Sequence, residues 1–239
     1  MSHIVLVRHA QASFGSPDYD KLCRNGQEQA RRLGEHWATH GTTFARAWSG
    51  PCLRHVETAH CVAGAYGEVG LTFPEVMVME EFDEYPVAAV YKAGLPRLLE
   101  ESEEARELKR AIEDSTDQAE RRRWFQKLFE RVVVKWVSGD MVVDGVERWP
   151  EFRLRVARGL ERIAGEESSG ATAVVFTSGG PISVALGHAM NLSDMDTLQM
   201  MWKLRNAAFS EFVSSGDRFT LSAFNTHPHL TEDSLITYW

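Results

Sequence analysis

The sequence predicts an α/β fold, a three-layer α/β/α sandwich with a mostly parallel central sheet and an inserted helical cap. Three observations carry that expectation. Short apolar, β-branched runs alternate with amphipathic helical patterns, the order left by strands joined through crossover helices. Ile4-Val-Leu-Val7 is apolar at every position, as a strand buried on both faces is, and residues 171–177 form the next clearest run. Polar or glycine-rich residues then follow four of the strands, at the carboxyl ends where open α/β sheets bind ligands.

Length and composition bound the answer. A chain of 239 residues can bury a full core, and we expect a single domain over 1–239 with a helical insertion at about 87–137. The formal charge of -8, with no basic tail or stripe, argues against nucleic acid as a partner while leaving room for a local positive pocket. Three cysteines, 23, 52 and 61, lack paired spacing, so neither a disulfide framework nor a thiolate metal site is suggested, and free thiols fit a reducing compartment. There is no leader pattern and no run of membrane-spanning length, so the expectation is a soluble, cytoplasmic protein with no membrane partner. Oligomeric state is not legible.

The elements follow in order. The first strand ends at Arg8-His9, where a guanidinium beside an imidazole reads either as an anion site or as a solvated strand end. Residues 10–24, rich in Gly, Ser, Pro and Asp, predict a long loop over that end, and such loops often carry function. Ala30, Leu33 and Trp37 at helical spacing predict a helix over 25–40, stopped by Gly41. Residues 44–48 read as a second strand. Ser49-Gly-Pro51 then turns into a helix over 52–66 with Arg54 in its first turn, a helix start suited to an anion.

A third strand is expected over 73–79, followed by the carboxylates Glu80, Glu81, Asp83 and Glu84. The segment 87–137 alternates charges of both signs at helical spacing and predicts two or more helices. Its Tyr91, Lys92 and Arg97 are near enough in sequence to the carboxylates to line an entrance, though each alone reads as a surface residue. A helix over 150–164 presents Phe152, Val156, Leu160 and Ile163 on one side. After the strand at 171–177 comes Ser178-Gly-Gly-Pro181, whose small residues let backbone N–H groups approach an anion before a helix over 181–190. Two strands, 208–213 and 219–225, close the pattern around a turn at 215–217.

Several of these stretches together resemble the histidine phosphatase superfamily, the phosphoglycerate-mutase-like proteins. LVRHAQ is similar to that family's R-H-G or R-H-A opening, SGPCLRHVETA to its S-x-x-x-R-x-x-x-T-A, and MEEFDEY to its L-x-E. Residues 25–30 resemble its G-x-x-Q-A helix opening, and 145–156 its G-x-E before a helix with R-V. Arg205-Asn206 and the stretch 225–230 resemble its late asparagine and final strand exit. The resemblance runs from Ile4 to about Leu230 and is weakest over 87–137.

It implies a phosphomonoester hydrolase acting through a phosphohistidine on His9. Arg8 and Arg54 would clamp the phosphoryl oxygens, and Glu81 would be the proton donor, with Glu84 a close second. Further ligand contacts are expected from Ser178, Gly179, Gln11, Ser16 and Glu84. The expected partner is a phosphorylated small molecule or inorganic phosphate, with no metal and no cofactor, and a mutase is less favoured than a hydrolase.

One departure stands out. The family places a second histidine in S-H-G-G, and this chain reads Thr177-Ser178-Gly179-Gly180. Losing a charged donor of that kind costs about 10²–10³ in rate, by analogy with oxyanion-site substitutions. That leaves an impaired enzyme, or a weak or inactive phospholigand-binding protein, and it predicts that Ser178→His raises any phosphatase rate. Other histidines offer no replacement on sequence grounds. His188 falls roughly 12 Å along its helix from the strand end, and His55 points about 100° round its helix from Arg54, as a packing or surface residue would. His227 and His229 read as a solvated tail.

Overall fold

The structure is a computed structural model that describes residues 1–13, 20–166, 170–216 and 218–238. Six strands form one sheet: β1 (Ser2–Arg8), β2 (Arg46–Ser49), β3 (Val76–Val78), β4 (Thr172–Thr177), β5 (Phe209–Ser215) and β6 (Arg218–Thr226). Their spatial order is β3-β2-β4-β1-β5-β6. Pairings β1/β4, β2/β4 and β2/β3 are parallel, while β5 runs antiparallel to both β1 and β6. The chain is therefore an α/β sandwich with a mostly parallel sheet, as its sequence predicts.

Helices α1 (Arg24–Thr39) and α2 (Leu53–Glu68) lie on one face of the sheet. Leu33, Trp37, Ala59, Val62 and Tyr66 pack there against Val5, Val7, Val174 and Phe176. Strand side chains alternate, so Ile4, Leu6 and Val175 point to the opposite face, and all three are fully buried. Helix α7 (Gly179–Met190) covers β1 and β6 on that side. Both faces are buried, which is why β1 and β4 read as continuous apolar runs rather than alternating ones.

The chain divides into two compact units, Met1–Glu84 with Arg153–Trp239, and Tyr85–Phe152. The second holds α3 (Val87–Glu101), α4 (Glu103–Asp114) and α5 (Gln118–Val137). Tyr91 sits 5.3 Å from Phe125 and 5.8 Å from Phe129 between ring centroids, and Arg97 pairs with Glu101. Helix α6 (Trp149–Glu166) returns the chain to the first unit, burying Phe152, Val156, Leu160 and Ile163 as the pattern predicts.

Two features depart from the sequence reading. Helix α8 (Asp194–Met201) is an element the pattern did not announce; Ser193 caps it by accepting from the Asp196 N–H at 3.1 Å. His229 is buried beside Phe209 and His36 instead of solvated, because the chain after β6 folds back over α1.

Candidate active site

Parallel strands with β4 inserted between β1 and β2 bring three carboxyl ends side by side, and each delivers one piece of the site. From β1 come Arg8 and His9. The His9 N–H donates to the Thr177 carbonyl at 2.7 Å, so the residue leaves the sheet still tied to β4. Its Nδ1 lies 2.8 Å from the Ala10 carbonyl, which places the ring proton there and the lone pair on Nε2. Burial, and then the charges of Arg54 and Arg8 and the nearby His55, hold its pKa well below the usual imidazole range. The imidazole is therefore neutral.

The backbone behind His9 is braced from β5's entry. Ala207 adopts φ +56°, a left-handed conformation uncommon for alanine, and its N–H reaches the carbonyls of Arg8 (3.1 Å) and His9 (3.3 Å). Asn206 Nδ2 donates to the His9 carbonyl at 3.2 Å. Arg8 Nη1 donates to the Leu204 carbonyl at 2.5 Å.

From β2 the chain turns through Gly50 into α2, whose first turn carries Arg54. Asp20, from the loop after β1, accepts from the Leu53 N–H (2.8 Å) and from Arg54 Nη1 (2.5 Å), so one carboxylate caps the helix and aims the guanidinium. Thr58 accepts from the Ala10 N–H at 3.0 Å and donates to the Arg54 carbonyl at 2.6 Å, joining α2 to the backbone beside His9.

From β4 come Ser178 and Gly179, the latter opening α7. Ser178 is fully buried, and its Oγ lies 3.3 Å from Arg54 Nη2 and 2.6 Å from His55 Nε2. His55 is also fully buried, with its ring centroid 5.7 Å from that of His9. Burial foremost, then Arg54, lowers its pKa well below the usual value. On sequence grounds His55 reads as a packing or surface residue, and this contact is not legible there.

The carboxylates separate. Residues 80–82 form a 3-10 turn, in which Phe82 is buried against α6. Glu81 lies against α6, its Oε1 3.9 Å from Arg162 Nη1. Glu84 turns the other way and accepts from the Gly180 N–H at 3.3 Å, at the start of α7. Arg155 fixes this turn by donating to the carbonyls of Glu80, Glu81 and Asp83 at 3.0–3.2 Å. Asp83 Oδ1 accepts from the Glu84 N–H and from Cys52 Sγ, whose thiol burial pushes up to about 12.

Of the residues singled out from sequence, Arg8, His9, Arg54, Ser178, Gly179 and Glu84 converge at these strand ends. Glu81 does not, because Phe82 anchors the turn in the core and the side chain before it falls on the α6 side. Gln11 spends its side chain on α1, with Oε1 accepting from Asn25 Nδ2 at 3.1 Å. Ser16 lies outside the described residues. Position 178 is fully buried and its side chain lies against His55, so the effect of Ser178→His on the rate depends on how that ring is accommodated.

The model of the histidine phosphatase superfamily (branch 1) matches residues 4–138 and 88–227. This chain belongs to the histidine phosphatase superfamily. Its members carry out phosphoryl transfer. Solved structures similar to this superfamily member include YhfR of Bacillus stearothermophilus, 16% identical with a TM-score of 0.64, covering 96% of this chain and 100% of that one. A phosphoserine phosphatase of Entamoeba histolytica in complex with 3-phosphoglyceric acid is 18% identical with a TM-score of 0.63, covering 96% and 100%. A phosphoglycerate mutase of Bacillus anthracis is 17% identical with a TM-score of 0.60, covering 96% and 95%. No curated protein matches the chain. Among the described residues no helix is long and apolar enough to cross a membrane, and no cluster of His, Cys, Asp and Glu could hold a metal ion.

Proposed function

We propose that the protein is a phosphomonoester hydrolase in which His9 is the nucleophile. The observation that carries this reading is the neutral His9 imidazole, with Nδ1 tied to the Ala10 carbonyl and with Arg8 and Arg54 both close enough to shift its protonation. Nε2 attacks phosphorus, the P–N bond forms, and the P–O bond to the leaving alcohol breaks. Arg8 and Arg54 take the charge on the equatorial oxygens, helped by the N–H groups opening α7. We assign the acid role to Glu84 rather than Glu81: its carboxyl proton goes to the leaving oxygen, and the resulting carboxylate takes a proton from the water that cleaves the P–N bond. The cycle returns His9 neutral and needs no metal or cofactor.

The substrate is a small phosphomonoester, in keeping with the phosphoserine phosphatase among the similar structures. Free thiols at Cys23, Cys52 and Cys61 fit a cytoplasmic setting. A second reading, a phospholigand-binding protein with little or no turnover, is favoured by one observation only, the uncharged Ser178 where the family has a histidine. Turnover of p-nitrophenyl phosphate separates the two. We expect wild-type hydrolysis that His9→Ala abolishes; equal inertness of both proteins, with inorganic phosphate or vanadate still raising the melting temperature, would select the binding reading.

A further inference from the structure

Three features at the end of β4 belong together. Ser178 stands where a histidine is expected, His55 reaches it from the neighbouring helix, and Gly50 leaves the space for that ring. A Cβ at Gly50 would sit 2.5 Å from His55 Nδ1 and 2.4 Å from the Phe82 carbonyl oxygen, so only glycine admits the imidazole there. Gly50 has no positive φ to explain it. The need is close approach.

We propose that His55 and Ser178 act as one positioning unit that compensates for the absent second histidine, fixing Arg54 so that its guanidinium meets the phosphoryl group in a single orientation. This rests on the phosphatase reading above. Both side chains are fully buried, and the polar contact they make towards the site runs through Ser178 Oγ to Arg54. The hydrogen-bond inventory supports the chain. Serine offers one proton and two lone pairs, and a guanidinium only donates. Arg54 Nη2 therefore takes a lone pair of Oγ, and His55 takes the other lone pair or the proton, according to its tautomer. Either way the hydroxyl is held at two points.

Arg54 is then gripped on both ends, by Asp20 through Nη1 and by Ser178 through Nη2. A long cationic side chain held in this way keeps little rotamer freedom to lose when a dianion arrives, which is what preorganisation requires. A histidine in place of Ser178 would donate directly to a phosphoryl oxygen. Here a buried imidazole has moved to α2 and works through a cation already present.

The test is a mutant cycle on turnover of p-nitrophenyl phosphate by the full chain. His55→Ala and Ser178→Ala are each expected to lower kcat about tenfold or more, and the double variant no further than either alone, because members of one unit are not additive. In an Arg54→Ala background, His55→Ala is expected to be silent; a residue that merely supports the fold would lower activity there too. Ser178→His alone is expected to lower kcat, since two rings claim one space, and adding His55→Ala to it is expected to restore activity above either single change. Should His55→Ala fail to fold, His55→Gln, which keeps a polar atom near Oγ, is expected to stay within a few-fold of wild type while His55→Met is not.

Wild-type kcat in His55→Ala, or additive losses in the Arg54→Ala background, would overturn the proposal while leaving the phosphatase reading intact. If neither turnover nor the vanadate-induced melting shift depends on His9, both fall together.

Discussion

Glu81 and Glu84 stand three residues apart and end in different company, one beside Arg162 on α6 and the other on the Gly180 N–H at the start of α7. A carboxyl at a helix start sits where an incoming phosphoryl group would also be drawn, which is the place a leaving-group acid must occupy. Glu84→Gln is therefore expected to lower kcat on alkyl phosphates by about 10²–10⁴, the usual contribution of a general acid. The loss should shrink on p-nitrophenyl phosphate, whose leaving group needs no proton. Glu81→Gln should stay within a few-fold of wild type on both. Steady-state kinetics on the two substrates checks the assignment, and equal losses at both positions would refute it. The motif places Glu81 at the donor position with Glu84 a close second, and the 3-10 turn that Phe82 anchors sends the two side chains to different neighbours.

At the scale of elements, the turn over 80–84 has few bonds of its own and depends on α6. Arg155 gathers the carbonyl groups of Glu80, Glu81 and Asp83, and hydrogen bonds from a charged donor are worth roughly 1.5–3 kcal/mol when made. Arg155→Ala is expected to lower the melting temperature and to cut kcat well beyond what the loss of stability explains, since Glu84 loses its fixed backbone. Arg155→Lys, with a point charge in place of a fork, should recover only part of either. Thermal melts run beside kinetics distinguish the two effects. The elements were mostly legible because burial on both faces leaves an apolar signature in β1 and β4, and because Gly41 and Pro51 mark helix boundaries. Helix α8 was not: it is short, with Thr197, Leu198 and Met201 as its buried residues, too few to set a period. Arg8, His9 and Arg54 could be placed from strand ends and a helix start, which sequence order reveals. His55 could not, because what draws it inward is a missing Cβ five residues earlier and a serine just past the end of β4.

Across the whole molecule, three histidines are buried as neutral bases: His9, His55 and His229, the last held down to about 3 by burial and the nearby His36 and His227. Each has a folded pKa below its unfolded value near 6.5, so the unfolded chain binds the extra protons. Their contribution to stability is complete above that pH and is lost as pH falls below it, at about 1.4 kcal/mol per pH unit for each site. Three such sites act in the same direction, against the 5–15 kcal/mol that holds a typical domain together. Urea midpoints are accordingly expected to fall steeply between pH 6.5 and 5.5. His229→Phe, which keeps a ring beside Phe209 but cannot titrate, should reduce that slope. The same shifts predict a different course for catalysis. The downward shift of His9 moves its protonation to lower pH than that of a free imidazole, so activity lost in mild acid should follow unfolding rather than protonation of His9. Parallel measurement of kcat/KM and of the folded fraction from pH 7 to 5 tests this: the two curves should superimpose, and activity falling ahead of unfolding would mean that His9 titrates near the ordinary imidazole value.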